Sequence, residues 1–355
     1  MADERTQTLP RPLAAPDSLS GGRLPRWAPA GCLSAALAVA YALAVVTPIS
    51  GTAGSLLTAA VLFAAGQTAW SFAIEGRRHA KDRLATTLIY SSFVLAFIPL
   101  VALLTTVVVK GIQVFDLPFL THSMRNIDVS KPGGGVYHAL IGTIEQVGIA
   151  AILGIPTGIL VAVYLVEYGA RRALARGISF FVDVMTGVPS IVAGLFVYTG
   201  FVLTLGFERS GIAGALALAI LMIPVVVRST EEMLKLVPTE LRESAYALGV
   251  PKYRTILRIV IPTALSGIIT GALLAIARVS GETAPLLLTT FLSQSINQSP
   301  LTGPQASVPT FIWDQIASGT DASIDRAWAG AMTLILLVML LNVVARLIAR
   351  FTRVK

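Results

Sequence analysis

The chain has 355 residues, of which 55% are hydrophobic and only 13% charged, and its mean hydropathy is +0.76. That composition excludes the pair of soluble domains the length alone would suggest, because uncharged stretches repeatedly exceed the roughly 20 residues a helix needs to cross a bilayer. A net charge of +8 could suit a nucleic acid, but the basic residues lie between the apolar stretches, where they orient a chain in a membrane.

In chain order, residues 1–27 are polar and rich in Pro, Arg and Ala, and read as a disordered cytoplasmic tail. The apolar run that follows is too long for the core of a signal peptide, and a second follows almost at once. These are the first two predicted spans, about 29–49 and 53–74, joined by a tight outer turn at Ser50-Gly51. A basic loop, Glu75 to Arg83, precedes the third span, about 84–109. Lys110 to Val136 reads as an outer loop ending in a flexible hinge, Lys131-Pro132-Gly133-Gly134-Gly135. The fourth span, about 137–166, holds Pro156 as a kink. It leads to an inner loop, Glu167 to Asp183, with Arg171, Arg172 and Arg176 as an orientation signal. Pro189 starts the fifth span, about 187–206, and a short outer turn, Phe207 to Ser210, leads to the sixth, about 211–227. After the polar segment described below come the seventh span, about 263–290, an outer loop over 291–326 and the eighth span, about 327–345. The tail carries Arg346, Arg350, Arg353 and Lys355.

This order makes an all-α polytopic membrane protein of about eight transmembrane helices with both termini cytoplasmic. Of the 27 Lys and Arg, only Lys110, Arg125, Lys131, Arg209 and Arg326 fall on outer segments and only Arg278 within a span, as the positive-inside bias requires. No segment between spans is long enough to fold alone, so a soluble catalytic domain is not expected. No Gly-Lys pair occurs, which excludes a P-loop for ATP. Cys32 is the single cysteine, and His79, His122 and His138 lie far apart without ligand spacing, so neither metal nor cofactor is expected.

The segment Val237 to Pro262, VPTELRESAYALGVPKYRTILRIVIP, is the longest polar stretch between two apolar ones in the C-terminal half. It predicts two short helices with a stop between them. Pro238 suits a first helical position. Leu241, Ala245 and Leu248 recur at i, i+4 and i+7 to form one narrow apolar face on a helix that also carries Glu240, Arg242 and Glu243. Gly249 can adopt the left-handed conformation that ends a helix. Pro251 can start the next helix, made basic by Lys252, Arg254 and Arg258. A polar helix with a small apolar stripe between spans suits docking on a soluble partner; an amphipathic connector lying on the membrane surface is the plainer alternative.

In the seventh span, Gly267, Gly271 and Ala275 form a small-residue ridge that lets helices approach closely. Arg278 and Glu282 follow on the same side at about 100° per residue. They are expected along the packed face, spaced i, i+4 so that they can pair. Two readings stand open: a buried salt bridge or inter-helix glue between subunits, or an anion site in which the Arg278 guanidinium donates a fork of hydrogen bonds to a tetrahedral oxyanion and Glu282 holds or gates it. Glu145, two turns into the fourth span beside Gln146, is expected to reach the outer interface or satisfy a neighbouring helix, with a role in transport as the lesser alternative.

Two motifs carry a family resemblance. Glu243-Ser244-Ala245, three residues, Gly249, nine residues and Ile259-Val260-Ile261-Pro262 resembles the EAA signature of ABC importer permeases, with Ser244 for Ala and Ile261 for Leu. Arg278-Val279-Ser280-Gly281-Glu282-Thr283-Ala284-Pro285-Leu286-Leu287-Leu288 resembles a run of the PstA-type permease of phosphate importers, as do Asp183 to Phe196 and Val308 to Trp313. The resemblance covers about 137–350. It implies a permease core over 84–355 with six spans and a coupling loop at 229–262, preceded by two extra spans and a basic loop at 28–83. It implies that Glu243, Ser244, Ala245, Gly249 and Pro262 belong to the element that couples to an ATPase, and that Arg278 and Glu282 line a phosphate path. It also implies a bacterial inner-membrane location and three partners: a second permease of the PstC type, an ATPase dimer that hydrolyses the ATP, and an extracytoplasmic phosphate-binding protein. The chain itself is then a transport subunit and not an enzyme. A permease for sulfate, molybdate or an amino acid is the nearer alternative, and a secondary transporter or channel the farther.

Overall fold

The computed structural model describes residues 24–25, 27–46, 52–169 and 172–351. Most of the expected N-terminal tail, the Ser50-Gly51 turn, Arg171, Arg353 and Lys355 lie outside them. Among the described residues the secondary structure is helical, without strands. The chain divides into two compact units, residues 1–103 and 104–355.

The first unit contains α1 (Ala28–Val46), α2 (Thr52–Glu75) and most of α3 (Arg77–Gly111). α1 and α2 pack together through small buried residues, Ala36, Ala40 and Ala59, and Trp27 meets Trp70 edge-on at 5.9 Å. The expected basic loop at Glu75–Arg83 is reduced to one residue. Gly76, at φ +85°, breaks the helix, and α3 resumes at Arg77. Only glycine takes this conformation without strain. The break is fixed by Glu75, whose side chain is almost fully buried. It accepts two hydrogen bonds from Arg83 (2.6 and 2.7 Å), one from the Ser71 hydroxyl (2.7 Å) and one from the Leu24 N–H (2.8 Å).

The second unit is built around α8 (Gly211–Lys235), two-thirds of whose apolar window is buried. α5 (Tyr137–Val163) packs along it with small residues inward. A β-carbon at Gly154 would lie 3.2 Å from Met222 Sδ, and one at Gly158 would lie 2.7 Å from Val226 Cγ1. α11 (Ile261–Ser280) packs against α8 in the same manner, as its ridge predicts. Hydroxyls in the spans turn back on their own helices: Thr157, Thr263, Thr270 and Thr333 each donate to the carbonyl four residues earlier. Hydrocarbon offers them no other acceptor.

Several boundaries differ from those expected. The inner loop after the fourth span is mostly helical. A π-helical turn, Tyr164–Tyr168, extends α5, and α6 covers Ala173–Gly187. At Val188-Pro189 the chain bends by 108° into α7 (Ser190–Val197) and a second π-helical segment, Tyr198–Thr204. Pro189 has no N–H with which to continue α6. These two segments rise about 22 Å, short of a bilayer. The spans suggested by length and composition are therefore seven helices, or eight with the bent pair counted as one.

The seventh span was expected to reach residue 290, but α11 stops at Ser280. After Gly281-Glu282-Thr283 a short α12 (Ala284–Thr289) begins, with Pro285 in its first turn. That proline cannot donate back to Gly281, so the longer helix is interrupted. α12 packs against α7, where a β-carbon at Gly194 would sit 2.5 Å from Pro285 Cα.

The expected outer loop over 291–326 contains α13 (Val308–Ser318), opened by a capping box between Ser307 and Thr310 and closed by Gly319 at φ +68°. α14 (Asp321–Phe351) then begins six residues earlier than expected.

The Lys131–Gly135 run is pinned and does not form a free hinge. Arg326, 1% exposed, donates to the carbonyls of Val129 (2.6 Å), Lys131 (2.7 Å) and Gly133 (3.2 Å) and to Gln315 Oε1 (2.7 Å). A β-carbon at Gly135 would collide with the Phe119 carbonyl at 2.1 Å. The short helix bearing that carbonyl, α4 (Leu117–Thr121), is capped by Asp116.

Candidate functional site

The polar segment after α8 forms α9 (Thr239–Ala247), with Pro238 at its N-cap and not inside its first turn. Its C-terminal end is a Schellman turn: Gly249, at φ +75°, donates to the Tyr246 carbonyl (2.9 Å), and Val250 donates to Ala245 (3.1 Å). The stop at Gly249 is therefore the expected one. The second short helix is not separate. α10 (Lys252–Thr255) runs through a π-helical turn, Ile256–Val260, directly into α11. Pro262 removes a donor from this continuous helix and crowds the carbonyl four residues back. A widened turn just before it accommodates both effects.

On α9 only Ala245 is buried. Glu243 and Ser244 are exposed, as are Gly249 and Pro262 beyond it. The expected apolar stripe is split: Ala245 faces inward, whereas Leu241 and Leu248 are open, with Leu248 83% exposed. Leu236, Tyr246 and Tyr253 are also exposed at this end of the chain's second unit.

Two ion-pair clusters at this end were not anticipated. Arg242 donates through Nε (3.1 Å) and Nη2 (2.9 Å) to Glu167 Oε1. It also donates to the carbonyls of Val237 (2.7 Å) and Leu234 (3.0 Å). Lys252 donates to the Glu167 carbonyl and sits 4.7 Å over the Tyr168 ring. Arg228 donates to Asp183, to Glu231 and to the carbonyl and hydroxyl of Ser179, joining α6 to α8. The signals available beforehand were a lone Glu ending the fourth span and an Arg beside Glu243; only folding brings them together.

Arg278 and Glu282 do not pair with each other, although their spacing would allow it. The helix ends between them, Gly281 and Glu282 donating back to Arg278 and Val279 (3.2 Å each), and no ion pair joins the two side chains. Arg278 is exposed in the last turn of α11, where its charge complements the helix dipole. Glu282 is partly buried at the break before α12. The ridge points elsewhere: β-carbons at Gly267 and Gly271 would meet Met233 and Ser229 of α8. Arg278 is thus off the packed face of this chain, one turn beyond the buried Ala275.

Glu145 pairs with the segment before α13 and not, as was expected, with a neighbouring helix. Gln305 Nε2 donates to its Oε2 (2.5 Å) and to the Asn297 carbonyl (3.0 Å), while Gln146 donates to Gln305 Oε1 (3.1 Å). Among the described residues no group of three or more His, Cys, Asp or Glu could hold a metal ion.

Comparison with known proteins agrees with the geometry. Residues 154–354 match the sequence family described as binding-protein-dependent transport system inner membrane component. The phosphate transport system permease protein PstA 1 of Mycobacterium tuberculosis (strain CDC 1551 / Oshkosh) is 51% identical over 273 residues, 77% of this chain and 90% of the relative. The phosphate transport system permease protein PstA of Yersinia pestis is 42% identical over 271 residues, 76% of this chain and 90% of the relative. A crystal structure of a bacterial ABC transporter involved in import of the acidic polysaccharide alginate shares the fold. Its TM-score is 0.52 over 78% of this chain and 99% of that one, at 15% identity.

Proposed function

We infer the function of this chain from the family to which it belongs, the binding-protein-dependent transport system inner membrane components: it is the membrane-spanning permease subunit of an ATP-driven importer for inorganic phosphate. The observation that carries this is 51% identity, over three-quarters of the chain, to a phosphate transport permease. The full assembly adds a second permease, an ATPase pair that hydrolyses ATP, and an external phosphate-binding protein. α9 and both termini lie on the cytoplasmic side, in keeping with the distribution of Lys and Arg.

α9 is the element that docks on the ATPase. Glu243 and Ser244 are open to a partner, and Leu241, Tyr246 and Leu248 offer it an apolar surface. ATP-driven closure of the ATPase pair displaces α9. The displacement passes through the Schellman turn at Gly249, α10 and the π-helical turn before Pro262 into α11. α11 carries it about 26 Å from Ile261 to Arg278.

Arg278 and Glu282 line the phosphate path. An arginine facing hydrocarbon costs several kcal/mol, and Arg278 has no carboxylate partner among the described residues. Its open side is therefore assigned to the aqueous path against the second permease, where the guanidinium fork matches phosphate oxygens. Glu282, at the break between α11 and α12, holds or gates the anion there.

Labelled phosphate uptake tests this in a host that lacks its own high-affinity system and expresses the complete complex. ATP-dependent uptake that resists sulfate and is lost in Arg278→Gln, with the complex still assembled, is the expected result. Uptake that survives the substitution removes the anion role from Arg278, and an assembled complex without phosphate uptake removes the substrate.

A further inference from the structure

The ends of two long helices converge on one side chain, Arg242 of α9. Its guanidinium reaches Glu167 in the π-helical turn that ends α5, and the Leu234 and Val237 carbonyls at the end of α8. Glu167 is in turn held from the other side by Lys252 of α10, whose helix continues into α11. Glu167 thus receives hydrogen bonds from both sides of the Gly249 turn. The Glu167 and Arg242 side chains are only 5% and 14% exposed.

A buried ion pair contributes little net stability, because desolvation offsets the attraction; its better-attested use is to fix one arrangement of the elements that carry it. The planar fork of arginine suits this, since it satisfies several acceptors in one rigid geometry. Here the acceptors lie on two elements outside α9. Glu167 also sits in a π-helical turn, an irregularity that recurs at functional positions.

We propose that Arg242 and Glu167 are a positioning pair that clamps α9 to α5 and α8, so that movement of α9 drives three membrane helices together. This rests on the reading of α9 as the ATPase-coupling helix. Without the clamp, α9 remains joined to α11 through the Gly249 turn and its packing on the π-helical turn, and ATP-driven displacement is absorbed there. Arg242 and Glu167 touch neither phosphate nor nucleotide in this scheme; they act through α9.

The test uses the complete complex in proteoliposomes, with phosphate uptake and ATP hydrolysis measured together. Wild type is compared with Glu167→Gln, which keeps a hydrogen-bond acceptor but no charge, and with Arg242→Lys, which keeps charge but no fork. The expected result is normal co-purification with the ATPase, near-normal hydrolysis, and phosphate moved per ATP reduced at least fivefold in Arg242→Lys and less in Glu167→Gln. Uptake and hydrolysis falling in proportion, an unchanged ratio, or loss of assembly in both variants overturns the clamp. Failure of the coupling reading itself is distinguishable, because it appears in the wild type as hydrolysis that does not respond to phosphate-loaded binding protein.

Discussion

Gly271 of α11 lies against Ser229 of α8 so closely that a β-carbon there would sit 2.3 Å from the serine hydroxyl oxygen and 2.6 Å from its Cβ. One turn along, a β-carbon at Gly267 would meet Met233 Sδ at 2.2 Å. The two positions respond differently to added volume, because the Met233 side chain is flexible and the serine Cβ is not. Gly271→Ala should destabilise the folded protein by about 1–3 kcal/mol, in the range for overpacking. Gly267→Ala should cost less. Thermal unfolding in detergent followed by tryptophan fluorescence checks the order. A Gly271→Ala protein as stable as wild type would show that α8 and α11 are farther apart.

Arg326 is a buried cation whose acceptors are three loop carbonyls and one amide oxygen. Arg326→Lys cannot reach four acceptors from one ammonium group, and Arg326→Met leaves the carbonyls without donors. Both should release the Lys131–Gly135 segment. Limited proteolysis with a protease of broad specificity should cut within residues 129–135 at least tenfold faster in Arg326→Met, with Arg326→Lys in between. Equal cutting rates in all three proteins would mean that packing at Phe119 and Gly135 alone holds the loop.

Gly249 has φ +75° and open space around its α-carbon. Substitution there acts on the backbone and not through a clash. Gly249→Ala should cost about 1 kcal/mol at the end of α9, and Gly249→Asn less, because Asn tolerates the left-handed region. Hydrogen exchange of the Gly249 and Val250 amides reads this directly. Faster exchange confined to that turn in the Ala variant is expected, and unchanged exchange would refute the strain argument.

Glu145 accepts a hydrogen bond from Gln305, and Gln305 is otherwise held by Gln146 and Asn297. Glu145→Gln keeps an acceptor oxygen and should leave phosphate uptake within about twofold of wild type, whereas Glu145→Ala should lower the unfolding temperature by leaving a buried donor unmet. Loss of uptake in Glu145→Gln with unchanged stability would instead place that carboxylate in the transport path.

The legibility of each feature followed the range of the force behind it. Apolar length marked the helices long enough to cross a bilayer, because transfer into hydrocarbon acts on a segment regardless of its neighbours. The stop at Gly249 was equally local, a matter of one residue's allowed φ. The motif spacing around Glu243 and the run from Arg278 to Leu288 identified the family without any fold.

What needed the tertiary structure were the places where separate elements compete for one backbone or one charge. Pro285 and the packing of α12 on Gly194 ended α11 at Ser280, so Arg278 and Glu282, four apart in sequence, were never partners. The basic segment after Gly76 became helix because Arg83 could reach Glu75. The apolar stripe of α9 was split because only Ala245 is small enough to lie against the bundle, leaving Leu241 and Leu248 outside. Arg242 found Glu167, 75 residues away, and Arg326 found Lys131, 195 away. A charge in a low-dielectric interior must be satisfied by whatever the fold brings near, and which acceptor that is depends on distances that no spacing along the chain encodes.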